Sequence, residues 1–115
     1  MEFNFDNERP IYIQLVELIR IKIVSGEFQR GQKIPSVREL ALAMKVNPNT
    51  MQKALVELED EKLIYTERTN GKYVTEDENI IKQTKKEYIK KTTDEFLNKI
   101  KEINVSKEEI LELIK

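Results

Sequence analysis

Residues 35–64 read PSVRELALAMKVNPNTMQKALVELEDEKLI, and this stretch decides the fold. Ser36 stands three residues before Glu39, so its hydroxyl can accept from the Glu39 amide while the glutamate reaches back to the Ser36 amide, the start signal of a helix. Val37, Leu40, Ala41 and Met44 then share one face of that helix. A second helix opens at Asn47, an asparagine cap followed by Pro48, whose missing N–H and fixed φ suit a first helical position. Met51, Ala54, Leu55 and Leu58 repeat the same spacing and form its buried face, with Leu63 and Ile64 extending the apolar material past its end. Asn49, Thr50, Gln52 and Lys53 are left pointing outward at its front.

Amides, a hydroxyl and an amine are the groups that hydrogen-bond to base edges and phosphates when a helix enters a major groove. The acids are sorted accordingly. No Asp or Glu occurs from Leu40 through Val56, whereas Glu57, Glu59, Asp60 and Glu61 crowd the end of the second helix. Exposed acids there oppose the macrodipole by roughly 0.3–1 kcal/mol each, and they would keep that end off a phosphate backbone. The alternative reading is a helical hairpin with an ordinary solvated face.

The surrounding chain narrows the choice. With 115 residues, it has room for one modest core. Cysteine and histidine are both absent, which rules out disulfides, thiol and imidazole chemistry and the usual structural zinc sites. We expect no cofactor and no metal. The first residues, MEFNFDNERP, do not resemble a secretory leader, and no apolar run approaches the ~18 residues that span a bilayer. A cytoplasmic protein without membrane contact is expected. Net charge is −1 and charged residues make up 36% of the chain, so a basic surface requires local sorting of the charges.

Before the central stretch, Met1 to Arg9 reads as an irregular lead-in in which Phe3 and Phe5 alternate, as in a short extended arm. Pro10 opens a first helix with an apolar stripe of Tyr12, Leu15, Val16, Ile19 and Ile23, stopped by Ser25-Gly26, where Gly26 suits a left-handed terminal residue. Ile11, Ile13, Leu18 and Ile21 lie off the stripe, which calls for cover on a second side by the C-terminal tail or another subunit. A loop around Gly31 leads to Pro35. After the third helix, the β-prone runs from Leu63 and from Lys72 flank Asn70-Gly71, a hairpin signal. Three helices and a hairpin make a winged helix-turn-helix. Arg68, Asn70 and Lys72, at or near the hairpin tip, are placed to reach a phosphate or the minor groove.

These residues resemble the GntR family of bacterial transcription regulators. The resemblance rests on P-I-Y-I-Q-L from Pro10, G-E-F at Gly26, G-Q-K-I-P-S-V-R from Gly31, E-L-A from Glu39, V-N-P-N-T-M from Val46, the run from Ala54 to Ile64, and Asn70-Gly71-Lys72 before Tyr73-Val74. It implies DNA contacts from Arg38, from Ser36 as cap and phosphate ligand, and from Asn47, Asn49, Thr50 and Gln52 at the start of the recognition helix, with Gly71 as the wing glycine. Many members carry arginine where this chain has Pro48, and often a basic residue at the position of Gln52, so base preference does not transfer. A usual glycine is replaced by Lys62, which must do without it or adopt an unfavourable conformation. The N-P-N-T form is similar to the YtrA-like subgroup.

Only about forty residues follow Val74, too few for an enclosed ligand pocket of the usual ~300–1,000 Å³. Glu78 to Ile103 reads as one long helix on which Ile89, Thr93, Phe96, Ile100 and Ile103 step by four and three, a seam for a partner helix. Asn104 and Val105 interrupt it. Ser106 and Glu109 form a second capping box, with Val105 and Ile110 as its staple, and Ile110, Leu111 and Ile114 make a short apolar face. The expected architecture is mainly α (α+β), with a winged helix-turn-helix over residues 1–76 and a C-terminal two-helix dimerisation tail over 77–115. An intramolecular cap on the first helix is the alternative for the tail, whereas the YtrA-like resemblance implies a homodimer.

The expected function is sequence-specific binding of double-stranded DNA, at a roughly palindromic operator, by a dimeric repressor of its own operon. The resemblance implies an operon that often encodes an ABC-type transporter. A winged-helix module for protein contact, docking through the acidic helix end, is the competing class. No carboxylates fall in an acid–base or metal arrangement, so an enzyme is not expected. No residue argues for a particular small-molecule effector.

Overall fold

A computed structural model describes residues 4–115. Its elements run α1 Ile11–Val24, α2 Val37–Met44, α3 Pro48–Asp60, β1 Ile64–Glu67, β2 Gly71–Val74, α4 Glu78–Lys101 and α5 Lys107–Ile114. The predicted mainly α fold with a small two-stranded sheet is what the chain adopts.

Local chemistry sets the ends of α2 and α3. The Ser36 Oγ accepts from the Glu39 amide and the Glu39 carboxylate accepts from the Ser36 amide, both at 3.1 Å. The Asn47 Oδ1 accepts from the Asn49 amide at 2.7 Å, with Pro48 in the first turn. Both helices finish in the same turn, in which one residue becomes left-handed and two amides bond back to late helical carbonyls. Lys45 takes that position after α2 at φ 57° and Lys62 takes it after α3 at φ 67°. The amides of Lys62 and Leu63 bond to the carbonyls of Glu59 and Leu58 at 2.9 and 3.0 Å. A lysine at such a position costs roughly 1–2 kcal/mol. Gly26, at φ 86°, holds the equivalent place after α1 without that cost.

The core is the one the apolar spacing marks. Leu15, Val16, Ile19 and Ile23 of α1, Leu40, Ala41 and Met44 of α2, and Met51, Ala54, Leu55 and Leu58 of α3 are all buried. α3 is the hub, packing on α1, α2 and β1. Removing Leu55 down to alanine would cost about 2–5 kcal/mol, a large part of the ~5–15 kcal/mol a small domain has in total.

Two expectations need correction. The hairpin turn is Arg68-Thr69-Asn70, and Gly71 already belongs to β2, paired with Glu67. The chain before α2 is more than a loop: Lys33 bridges Tyr73, the Ile34 amide bonds to the Lys72 carbonyl, and the Val74 amide bonds to the Gln32 carbonyl, each at 2.9 Å for the two hydrogen bonds. Those bonds lie within the Gly31–Pro35 stretch, where a turn-rich composition hides a short extended run. Ile11, Ile13 and Ile21 of α1 are exposed in this chain, 36–39%, while Leu18 packs against the core. Phe5 also packs against the core; Phe3, its partner in the expected arm, lies outside the described residues.

The lead-in is fastened by a residue the periodicity does not single out. Gln14 is buried, and its amide accepts from the Asp6 N–H at 2.9 Å and donates to the carbonyls of Asp6 and Arg9 at 3.0 and 2.9 Å. A buried side-chain amide needs such partners, and the irregular segment supplies them.

The chain divides into two compact units, Met1–Lys82 and Gln83–Lys115, the division falling within α4. In the second unit α4 ends at Lys101, short of Ile103, and Asn104 is left-handed at φ 55°. Ser106 and Glu109 close the second capping box, with the Glu109 amide 3.2 Å from the Ser106 Oγ. Val105 and Ile110, the expected staple, are both half-buried.

Candidate nucleic-acid interface

The front of α3 faces solvent. Asn49, Gln52 and Lys53 are exposed, Thr50 is half-buried, and Met51, Ala54 and Leu55 turn inward. The separation follows from helical period, since residues 49, 52 and 53 lie opposite 51, 54 and 55. Asn47 spends its carbonyl oxygen on the cap and keeps its NH2 group for another acceptor. The Lys53 ammonium sits 3.8 Å from the centre of the Tyr12 ring, a cation–π contact that restrains a long side chain on the α1 side of the front.

Arg38 occupies the first turn of α2 and is exposed, as is Ser36 ahead of it. The Ser36 capping hydrogen bonds, backbone first, hold the Glu39 carboxyl below its ordinary 4.5, so that helix start carries a fixed carboxylate. At the wing, Arg68, Asn70 and Gly71 are exposed at the tip. Pairing of Gln32, Lys33 and Ile34 with β2 links that wing to the segment that enters α2, so Ser36 and the wing are borne on one hydrogen-bonded strand system.

Ion pairs separate two kinds of cation. Arg20 forms a two-pronged pair with Glu61, at 3.0 and 2.6 Å, which ties α1 to the end of α3. Lys22 pairs with Glu27, and Arg9 with Asp6 and Glu17. Lys72 belongs to this paired group: its ammonium is 2.6 Å from the Glu59 Oε1 and 2.9 Å from the Thr66 Oγ1. Its side chain therefore lies on the α3 face of the hairpin and is not presented at the tip as expected. In β2 the residues alternate, so Lys72 and Val74 face α3 while Gly71 and Tyr73 face away. Arg38, Arg68 and Lys33, by contrast, have no hydrogen bond or ion pair among the described residues. Lys33 was not singled out by sequence; a lysine on a short edge strand gives no periodic signal.

Two of the four acids at the end of α3, Glu59 and Glu61, are committed internally, while Glu57 and Asp60 are exposed. Glu59 is held by Lys72 and by a Thr66 hydroxyl, and Glu61 by Arg20. Burial alone would raise the Glu59 carboxyl, but the Lys72 and Thr66 hydrogen bonds outweigh it and leave the group below 4.5. Among the described residues, no group of acids is placed to hold a metal ion, and no helix is long and apolar enough to cross a membrane.

A three-helix core with an outward polar helix, an exposed and unpaired arginine at the start of the preceding helix and a wing defines a winged helix-turn-helix DNA-binding protein. The family described as "Bacterial regulatory proteins, gntR family" matches residues 11–74. This chain belongs to the gntR family. It is 36% identical over 115 residues to the HTH-type transcriptional regulator YhcF of Bacillus subtilis (strain 168), covering 100% of this chain and 95% of that one. It is 45% identical over 67 residues to the HTH-type transcriptional repressor YtrA of the same organism, covering 58% and 52% of the two chains. A GntR family transcriptional regulator from Listeria monocytogenes superposes with a TM-score of 0.90 at 42% identity over 96% of each chain. The DNA-binding domain of AraR, solved in complex with operator ORX1, superposes at 0.57 and 29% identity over 65% of this chain and 92% of that one. The protein is thus a DNA-binding transcription regulator with a YtrA-like relationship, and not an enzyme.

Proposed function

We propose that two copies of this chain bind a roughly palindromic operator and repress transcription, with α3 of each in a major groove and each wing beside it. The observation that carries this is the outward, acid-free front of α3, together with an exposed Arg38 whose side chain has no partner among the described residues in the first turn of α2, the helix packed against α3. Ser36, Asn47, Asn49, Thr50, Gln52 and Lys53 join Arg38 at the DNA, with Arg68, Asn70 and Gly71 at the wing. Lys72 holds the wing to α3 instead. Similarity to the repressor YtrA and to an operator-bound AraR domain supports the reading. Residues 1–76 form the reading domain and 77–115 the dimerisation tail.

Pairing through the tail is supported by what it leaves uncovered. Neither α4 nor α5 has a fully buried residue, and Ile89, Phe96, Ile103, Leu111, Leu113 and Ile114 are 44–85% exposed. Such a run of apolar side chains is unstable in water until another surface covers it. Thr93 and the half-buried Ile100 and Ile110 complete the seam. A two-fold dimer sets the reading helices on half-sites about one helical turn apart, ~34–36 Å. In this reading the protein acts in the cytoplasm on its own operon, one that the YtrA-like resemblance suggests encodes an ABC-type transporter.

Recovery of bound fragments from the source genome should return a two-fold symmetric site upstream of the protein's own gene. Replacing Arg38 with alanine should weaken that complex by about 1–3 kcal/mol with the circular dichroism unchanged. Unchanged binding would show the interface to lie elsewhere.

A further inference from the structure

Lys33 is the cation of the reading domain whose stem is held and whose charge is not. It sits in the short extended run before α2, bridged antiparallel to Tyr73. Its side chain lies across Gly71: a Cβ built on that glycine would come within 3.3 Å of the Lys33 Cε and 4.0 Å of its Nζ. Gly71 is at φ +100°, a conformation L side chains rarely adopt, so the backbone calls for glycine there. The end of the lysine stem thus lies over the glycine at the start of β2.

The ammonium is also near the start of α2, where it acts electrostatically on Glu39. It does not form an ion pair with Glu39, whose Oε1 accepts from the Ser36 amide at 3.1 Å. Among the described residues Lys33 has no hydrogen bond or ion pair at all, and the residue is exposed. Elsewhere in this domain Arg9, Arg20, Lys22 and Lys72 are each matched to an acid. A positive charge positioned by packing, between a wing and a helix start and left without an anion, is suited to an anion that arrives from outside.

We infer that Lys33 binds a DNA backbone phosphate between the wing and the start of α2, with Gly71 as the residue that lets it lie there. This rests on the interface proposed above. Contact with phosphate positions the duplex and carries no base information, so Lys33 contributes equally on operator and unrelated DNA.

The test is a salt series of fluorescence anisotropy titrations on the recovered operator and on an unrelated duplex, for the wild-type chain, K33A, K33R, R38A and a K99A control on α4. Each neutralised phosphate contributes about 0.9 to the slope of log K against log salt. K33A should lower the slope by about one per bound chain and weaken both duplexes by a similar factor, roughly fivefold to tenfold per bound chain near 0.1 M salt. K33R should restore most of the slope, and K99A should leave it unchanged. A K33A slope equal to wild type overturns the inference. If R38A weakens binding while K33A does not, only the role of Lys33 fails; if neither has an effect, the interface itself is misplaced. Circular dichroism of K33A checks the fold, and removal of an exposed, unpaired side chain should leave it intact.

Discussion

The Lys72 ammonium lies 2.6 Å from a carboxylate oxygen of Glu59, which fastens the wing to the acidic end of the reading helix. Thr66, from the other strand of the hairpin, bonds to the same carboxylate. Both strands of the wing are therefore anchored to one side chain of α3. The acids that crowd this helix end thus have a structural use besides keeping it clear of phosphate.

That anchor should respond to pH and to substitution. Glu59 titrates below its ordinary 4.5 in the folded chain, so the stability it contributes is present at neutral pH and is lost as the pH falls through that lower value. Urea melts at neutral pH and over a descending acid series should show wild type and Glu59→Gln differing at neutrality and converging once the pH has fallen below the lowered Glu59 value. Lys72→Ala should destabilise the domain by up to about 1 kcal/mol, as expected for a partly exposed pair. It should leave the salt slope of DNA binding at the wild-type value, and a reduced slope would return Lys72 to the DNA face.

Lys62 holds a left-handed conformation at φ 67°. Lys62→Gly removes roughly 1–2 kcal/mol of backbone strain at an entropic cost of roughly 0.5–1 kcal/mol, a net gain of several tenths to about 1 kcal/mol. Chemical denaturation should show a higher midpoint with an unchanged m-value. A lower midpoint would mean that the lysine side chain contributes more than its backbone costs.

Gln14 links the lead-in to α1 through hydrogen bonds to Asp6 and Arg9. Gln14→Leu keeps the volume and removes every partner, so the backbone of Asp6 must detach to find water. A loss of about 1–3 kcal/mol is expected, with faster hydrogen exchange or proteolysis confined to the segment before Ile11. Unchanged protection there would show that Phe5 packing alone holds it.

Phe96 and Ile100 stand in the middle of the tail seam. A Phe96→Glu, Ile100→Glu double variant should sediment as a monomer where the wild type sediments as a dimer. Operator affinity should fall by about a hundredfold or more, since two half-sites would no longer be engaged by one particle. Sedimentation of the wild type itself as a monomer at low micromolar concentration would remove the dimer proposal.

The amino-acid order alone determined the capped helices, because their signals are local. The Ser36–Glu39 and Ser106–Glu109 boxes, the Asn47-Pro48 start and the three-and-four spacing of Met51, Ala54, Leu55 and Leu58 each act within one or two turns of chain, and all were found in place. An outward polar front on α3 followed from the same period. Tertiary structure alone decided which cations remain available. Lys72 and Lys33 look alike in sequence, yet one is neutralised by Glu59, thirteen positions away, while the other lies over Gly71 with its charge open. The third pairing of the wing and the Arg20–Glu61 tie likewise join residues far apart in the chain. Their energies depend on which surfaces meet once the core has formed, and no local pattern encodes that.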